Sequence, residues 1–307
     1  MKHFFTFVFL AFLFIFQASA QERFVELNGY KIWINTIGIE QREEGQPLVI
    51  FESGHGTPMG NWDKVIESVA EFAPILTYDR PGIGKSEATD YMPTLKNVSE
   101  QLVRLLDKLE FAPPYILVGH SLGGVYVRGF ANYYPEKLAG LVIIDPGDFT
   151  ETHQNRTEYY DILDWEPSKV DSLIQSFIDI RASRNKDSPA PIKREGQVLE
   201  ELREQDFQEI SGTPLPNIPV HMVVGGRFDM PVQFQSKEYD DKALFRSKIK
   251  HRISRWTDVI QSVDKGMLLY SGDAGHFVQW DDPELVISSI RIVMQDYYTL
   301  QEEMQQK

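Results

Sequence analysis

Cysteine is absent from all 307 residues. That excludes disulfides, thiolate metal sites, a cysteine nucleophile and a lipidated bacterial N-terminus, so any nucleophile must be oxygen or amine. Basic residues are also in short supply, with Lys+Arg 31 against Asp+Glu 45 and a net charge of -14. A polyanion would be repelled before it could dock, and nucleic acid is excluded as a partner. Internal repeats, low-complexity stretches and blocks of like charge are missing, and so are a phosphate loop, an HExxH helix and a metal-ligand cluster. Neither disorder nor a cofactor or metal is therefore expected. The chain is 42% hydrophobic and 12% aromatic, enough for a large core.

Only one long apolar run occurs. Phe4 to Phe16 holds seven of the 19 Phe behind Lys2 and His3, and Ala18-Ser19-Ala20 follows. These are the three parts of a secretory signal peptide, with cleavage expected after Ala20. A membrane-spanning helix needs about 20 apolar residues, so no stable insertion is expected once the signal is removed. A long exported chain without cysteine fits a bacterial envelope, secreted or periplasmic, better than a eukaryotic secretory pathway.

Beyond residue 20, two alternating stretches from Arg23 to Ile37 flank Asn28-Gly29, the signature of a tight β-hairpin. Short unbroken apolar runs follow at Leu48 to Phe51, Ile75 to Tyr78, Tyr115 to Val118, Leu141 to Ile144, Val220 to Val224 and Met267 to Tyr270. Such runs mark strands buried on both faces. Amphipathic helical patterns lie between them, the clearest at Leu95, Val98, Leu102, Leu105, Leu106 and Leu109. Strands alternating with helices predict an α/β fold, a mostly parallel sheet with helices on both faces. The alternation breaks between Pro146 and Pro219, where no strand-like run occurs but Val170, Leu173, Ile174, Phe177 and Ile178 make a helix. The expected organisation is a signal peptide at 1–20, a core at 21–146, a helical cap insertion at 147–218 over the C-terminal edge of the sheet, and the rest of the core at 219–307.

Tyr115 to Gly124 reads strand, turn, helix, with Gly119-His120-Ser121-Leu122-Gly123 at the turn. That spacing makes a nucleophile elbow: Ser121 stands clear on strained backbone, and the flanking glycines let strand and helix approach. A serine hydroxyl needs a base, and the base an orienting carboxylate. His276, after the last apolar strand, falls at the same sheet edge; His120 and His221 read as packed, His153 and His251 as solvated. Asp229, after Val223-Val224-Gly225-Gly226, is the favoured acid, and Asp145 at the end of the preceding strand competes with it. Oxyanion donors are expected from the backbone N–H of Leu122 and, in the loop Ser53 to Thr57, from His55 first and Gly56 second. Tyr159, Tyr160, Trp165 and Phe177 could line a pocket, although aromatics at helical spacing read first as core.

Four motifs in order, Glu52-Ser53-Gly54-His55-Gly56 with Trp62, Tyr78 to Ser86, the elbow, and Gly275-His276 with Asp282-Pro283-Glu284, give the mature sequence a resemblance to the α/β-hydrolase superfamily. The resemblance implies an eight-stranded sheet, a Ser121-Asp229-His276 triad and a cap after the sixth strand. It also implies that Arg80 pairs with Glu52. Serine at the elbow sets the chain apart from relatives that carry aspartate or cysteine there. The expected activity is hydrolysis of small carboxylic esters, with a substrate apolar in its acyl or alcohol part. Carbon-carbon or amide cleavage by the same triad, as in an aminopeptidase, and a ligand-binding protein without turnover remain open, as does the oligomeric state.

Overall fold

The computed structural model describes residues 20–306. The expected signal peptide therefore lies outside the described residues, apart from Ala20. Strands β1 (Gln21–Leu27) and β2 (Tyr30–Ile37) form the hairpin predicted from Asn28-Gly29. Both turn residues have positive φ, 53° and 86°, as a two-residue turn matching the strand twist requires.

The remaining strands are β3 (Leu48–Glu52), β4 (Ile75–Tyr78), β5 (Tyr115–His120), β6 (Leu138–Ile144), β7 (Val220–Gly225) and β8 (Gly266–Ser271). They make one eight-stranded sheet in the order β1-β2-β4-β3-β5-β6-β7-β8. The β1-β2 and β2-β4 pairs are antiparallel and all others parallel. The apolar runs are thus strands because both faces must be covered, and alternate residues divide between two cores. Leu48, Ile50, Leu117, Leu141 and Met222 point to one side. Val49, Phe51, Ile116, Val142 and Val223 point to the other. At the sheet edge β8 is only half-buried, with Leu268 packed toward one cluster and Leu269 toward the other.

Helices α1 (Ile66–Ala70), α2 (Leu95–Lys108) and α3 (Leu122–Tyr133) lie in the first half of the core. Thr94 caps α2 by accepting from the Asn97 N–H, and the apolar face of α2 enters the first cluster. Between Ile144 and Val220 the chain is helical without a strand, with α4 (Pro167–Arg184), α5 (Ala190–Glu204) and the short α6 (Gln208–Ser211). Prolines at the starts of α4 and α5 supply the fixed φ of a first helical turn. Helices α7 (Asp241–Ile260), α8 (Val278–Asp281) and α9 (Pro283–Gln305) complete the chain. Helix α7 has 20 residues, with Leu244, Ile249 and Trp256 buried, and α9 has 23. No helix among the described residues is long and apolar enough to cross a membrane.

His221 points from β7 toward α9, where its Nδ1 meets Ser289 Oγ at 2.8 Å. Burial lowers its pKa to about 4. The imidazole is therefore neutral in the folded state but takes up a proton in the unfolded chain below about pH 6.5, so stability falls as pH drops through that window. In urea titrations the wild-type protein should lose about 2.5 kcal/mol more between pH 7 and 4.5 than His221→Gln. Equal pH dependence in the two proteins would show that His221 does not carry it.

Candidate active site

Ser121 joins β5 to α3 with φ 55° and ψ -117°, a conformation open to a non-glycine residue only under strain of about 1 to 3 kcal/mol. Neighbouring atoms leave the chain no choice. A Cβ on Gly119 would lie 2.4 Å from the Gly123 carbonyl oxygen, and one on Gly123 would lie 2.1 Å from that of Glu52. The turn is further pinned by the Ser121 N–H donating to Ile144 O at 3.0 Å. As a result the side chain stands at the C-terminal edge of the sheet.

His276 Nε2 lies 3.1 Å from Ser121 Oγ, so the sequence-derived nucleophile and base meet. Its Nδ1, however, is 2.7 Å from Oδ2 of Asp145, and Asp229 is not the partner. A carboxylate there can only accept, which puts the imidazole proton on Nδ1 and leaves the Nε2 lone pair facing the serine hydroxyl. Asp229 does lie near the same edge, but it is exposed and accepts from its near neighbour Arg227 Nε at 2.7 Å. Arg227 also binds Asp281 at 2.9 Å. The physical reason for the correction is local: an arginine two positions away neutralises Asp229, whereas Asp145 ends the strand beside the one that delivers Ser121. Asp145 itself has φ 36°, and its N–H donates to Val223 O at 2.7 Å, which turns its carboxylate out of the strand line.

Arg252 on α7 donates through Nη1 to Asp145 Oδ1 at 3.0 Å, so each oxygen of this carboxylate has a partner. Behind it Asp148 accepts from Arg255 Nη2 at 2.6 Å and from Trp256 Nε1 at 3.2 Å. Burial would raise the Asp148 pKa, but Arg252 and Arg255 outweigh it and hold the carboxyl below its ordinary value. This support was missed in the sequence. Its signal was the spacing of Lys248, Arg252, Arg255 and Trp256, which shares one face of α7.

The loop after β3 closes on the elbow: a Cβ on Gly54 would sit 3.3 Å from that of Ser121. The N–H groups of His55 and Leu122 have no partner among the described residues, whereas Gly56 N–H is taken by Glu195 Oε2 at 2.8 Å. Gly56 is thereby removed as an alternative donor. Arg80 fixes the loop, with its guanidinium 2.5 Å from Glu52 Oε1, 2.6 Å from Ser53 O, 2.7 Å from Gly54 O and 2.7 Å from Glu195 Oε1. Burial alone would lower the Arg80 pKa, but Glu195 and Glu52 carry it well above its usual value. His55 contributes its ring as well, with Nε2 2.8 Å from Ile192 O on α5.

His120 is buried, as its sequence position suggested, and its Nε2 meets the His276 carbonyl oxygen at 2.8 Å. Burial first, and then the neighbouring His276, lower its pKa to about 3, so it is a neutral strut. His153 pairs with Asp206 and His251 with Glu158, both on the surface.

Ser121 and His276 open into a cavity of about 360 Å³ between the sheet edge and the inserted helices. A second cavity of about 280 Å³ adjoins it, walled by Tyr159, Tyr160, Ile174, Phe177, Phe228 and Phe245. Of the four aromatics noted in the sequence, Tyr159, Tyr160 and Phe177 line this chamber, and Trp165 packs edge-on against Tyr239 instead. No cluster of metal-ligating side chains occurs among the described residues.

A profile of the alpha/beta hydrolase family matches residues 49–288. The protein YqjL of Bacillus subtilis, itself uncharacterised, is 34% identical over 98 residues, 32% of this chain and 39% of that one. The mouse (lyso)-N-acylphosphatidylethanolamine lipase is 30% identical over 131 residues, 41% of this chain and 38% of that one. The matches span about two fifths of each relative's length. Among solved structures, the epoxide hydrolase CorEH superposes with a TM-score of 0.60 at 18% identity, covering 92% of this chain and 100% of that one. The carboxylesterase CesB of Bacillus subtilis does so with a TM-score of 0.55 at 18% identity, covering 89% and 90%. The structural matches establish a common fold.

The geometry separates the two candidate acids experimentally. Asp145→Asn should slow fluorophosphonate labelling of Ser121 by about three to four orders of magnitude, while Asp229→Asn stays within a few-fold of wild type. The opposite ranking would restore Asp229 as the acid.

Proposed function

Because the chain belongs to the alpha/beta hydrolase family, we propose that it is a serine hydrolase of carboxylic esters acting through Ser121, His276 and Asp145. The observation that carries this reading is the unbroken hydrogen-bond line from Ser121 Oγ through the His276 ring to Asp145. Ser121 Oγ attacks the ester carbonyl while His276 Nε2 takes its proton, and Asp145 holds the imidazolium that forms. The oxyanion is received by the N–H groups of Leu122 and His55, neither of which has a partner among the described residues. As the carbonyl re-forms, the alcohol leaves with the proton from His276, and Ser121 remains acylated. Water then gives a proton to His276, attacks the acyl carbon, and the carboxylic acid departs as Ser121 regains its hydrogen.

Relatives named a lipase and a carboxylesterase support an ester substrate. The aromatic chamber beside the nucleophile suits the apolar acyl or alcohol part of a small molecule. The N-terminal pattern at 1–20 supports export to the periplasm or medium, to be checked by N-terminal sequencing of the protein from cell fractions.

p-Nitrophenyl esters from acetate to octanoate should be hydrolysed with a burst of p-nitrophenol. Ser121→Ala should abolish the burst and lower kcat by at least about three orders of magnitude. Cleavage of aminoacyl anilides but of no ester would replace ester with amide chemistry. A folded protein that turns over neither and is not labelled at Ser121 would sink the reading altogether.

A further inference from the structure

The cavity holding Ser121 is walled by five basic side chains, and their partners divide them into two groups. Arg252 is bound to Asp145, with Asp148 at 3.7 Å, and Arg181 and Arg203 share Glu200. Arg156 and Lys248 form no ion pair and no side-chain hydrogen bond among the described residues. Both line the polar chamber containing the nucleophile and also the aromatic chamber next to it. They stand where the two spaces join.

Lys248 is only half-exposed, with its ammonium 5.4 Å from the centre of the Tyr159 ring. Desolvation lowers its pKa, with Glu151 pulling it back up and Arg252 opposing it further. A desolvated cation without a direct counter-ion is costly unless something else supplies the charge. Carboxylates on the same wall are mostly spoken for: Asp145 by His276 and Arg252, Asp148 by Arg255, Asp206 by His153. Glu151, which also lines both chambers, has its Oε2 buried without a hydrogen-bond partner. It stands close enough to oppose the charge on Lys248 without making a contact with it.

We propose that the junction formed by Arg156 and Lys248 binds an anionic group, carboxylate or phosphate, on an amphiphilic substrate whose apolar chain fills the aromatic chamber. The inference deepens the ester-hydrolase reading by naming the substrate class, and rests on it for the position of the scissile bond near Ser121. Two cations that each line both chambers suit a group with two or three acceptor oxygens, and the chain then continues into a space of phenylalanine, tyrosine and isoleucine side chains. Glu151 disfavours the bound anion, so it sets the affinity rather than the specificity.

Binding can be read without turnover. In the Ser121→Ala protein, calorimetric titration with octyl phosphate, octanoate and 1-octanol at pH 7 should show at least one anion binding about ten- to a hundredfold more tightly than the alcohol. Octyl phosphate ahead of octanoate assigns a phosphate group, and the reverse a carboxylate. Adding Lys248→Met should remove most of the preference, and so should Arg156→Gln, which lies in a half-exposed segment and keeps the test intact if the α7 variant fails to fold. Glu151→Gln should strengthen anion binding several-fold. Alcohol binding equal to that of both anions, no binding of any of the three, or an anion preference that survives both substitutions together would overturn the proposal. If the preference holds but wild-type protein cleaves no ester, the hydrolase reading fails and the subsite stands.

Discussion

Arg80 is the charge around which the active edge is assembled. Its guanidinium reaches the last residue of β3 through Glu52, the following loop through the carbonyls of Ser53 and Gly54, and the inserted helices through Glu195. A buried arginine flanked by two carboxylates is expensive to desolvate, and removing one partner of such a group typically costs about 3 to 5 kcal/mol. The arrangement makes sense because all three guanidinium nitrogens donate, and the acceptors come from three parts of the fold. Glu195 uses its second oxygen on the Gly56 N–H, and Tyr78 donates to the second oxygen of Glu52. The loop opposite the nucleophile is therefore held by charge-assisted bonds from below and from the side.

The reacting line is built by adjacency in the sheet. β5 delivers Ser121, its neighbour β6 delivers Asp145, and the segment after β8 folds back so that His276 spans them. Asp145 pays for its place with positive φ, as Ser121 does, and both strained residues are locked by backbone bonds to the next strand. Arg252 then fixes the carboxylate oxygen that His276 does not use.

Much of this was legible in the chain. Unbroken apolar runs located the strands because a parallel sheet covered twice has no polar face, and Asn28-Gly29 announced its hairpin through a backbone preference that few other pairs share. Ser121 and His276 were legible because a nucleophile elbow and a strand-end histidine have local signatures. The carboxylate that meets His276 was not, since Asp145 and Asp229 both follow apolar strands in the same chain order. What separates them is spatial: Arg227 neutralises one, and Arg252, over 100 residues from the other in sequence, supports it. Glu195 escaped notice for the same reason, because a glutamate inside an amphipathic helix looks solvated until the helix is docked. Sequence patterns report which face an element buries and are silent on which distant charge meets it.

The attachment of α5 limits how the site can breathe. Lifting that helix would break the bonds of Ile192 to His55 and of Glu195 to Gly56 and Arg80 in one motion, and would release the loop that carries the His55 N–H. The aromatic chamber is lined by α4, α7 and the segment after β7 and by no residue of α5. There the rim presents Ile180 and Met230 to solvent, with Val232 and Phe234 farther along the same segment. The rim of the aromatic chamber is thus apolar, while the helix over the loop after β3 is held by buried ions.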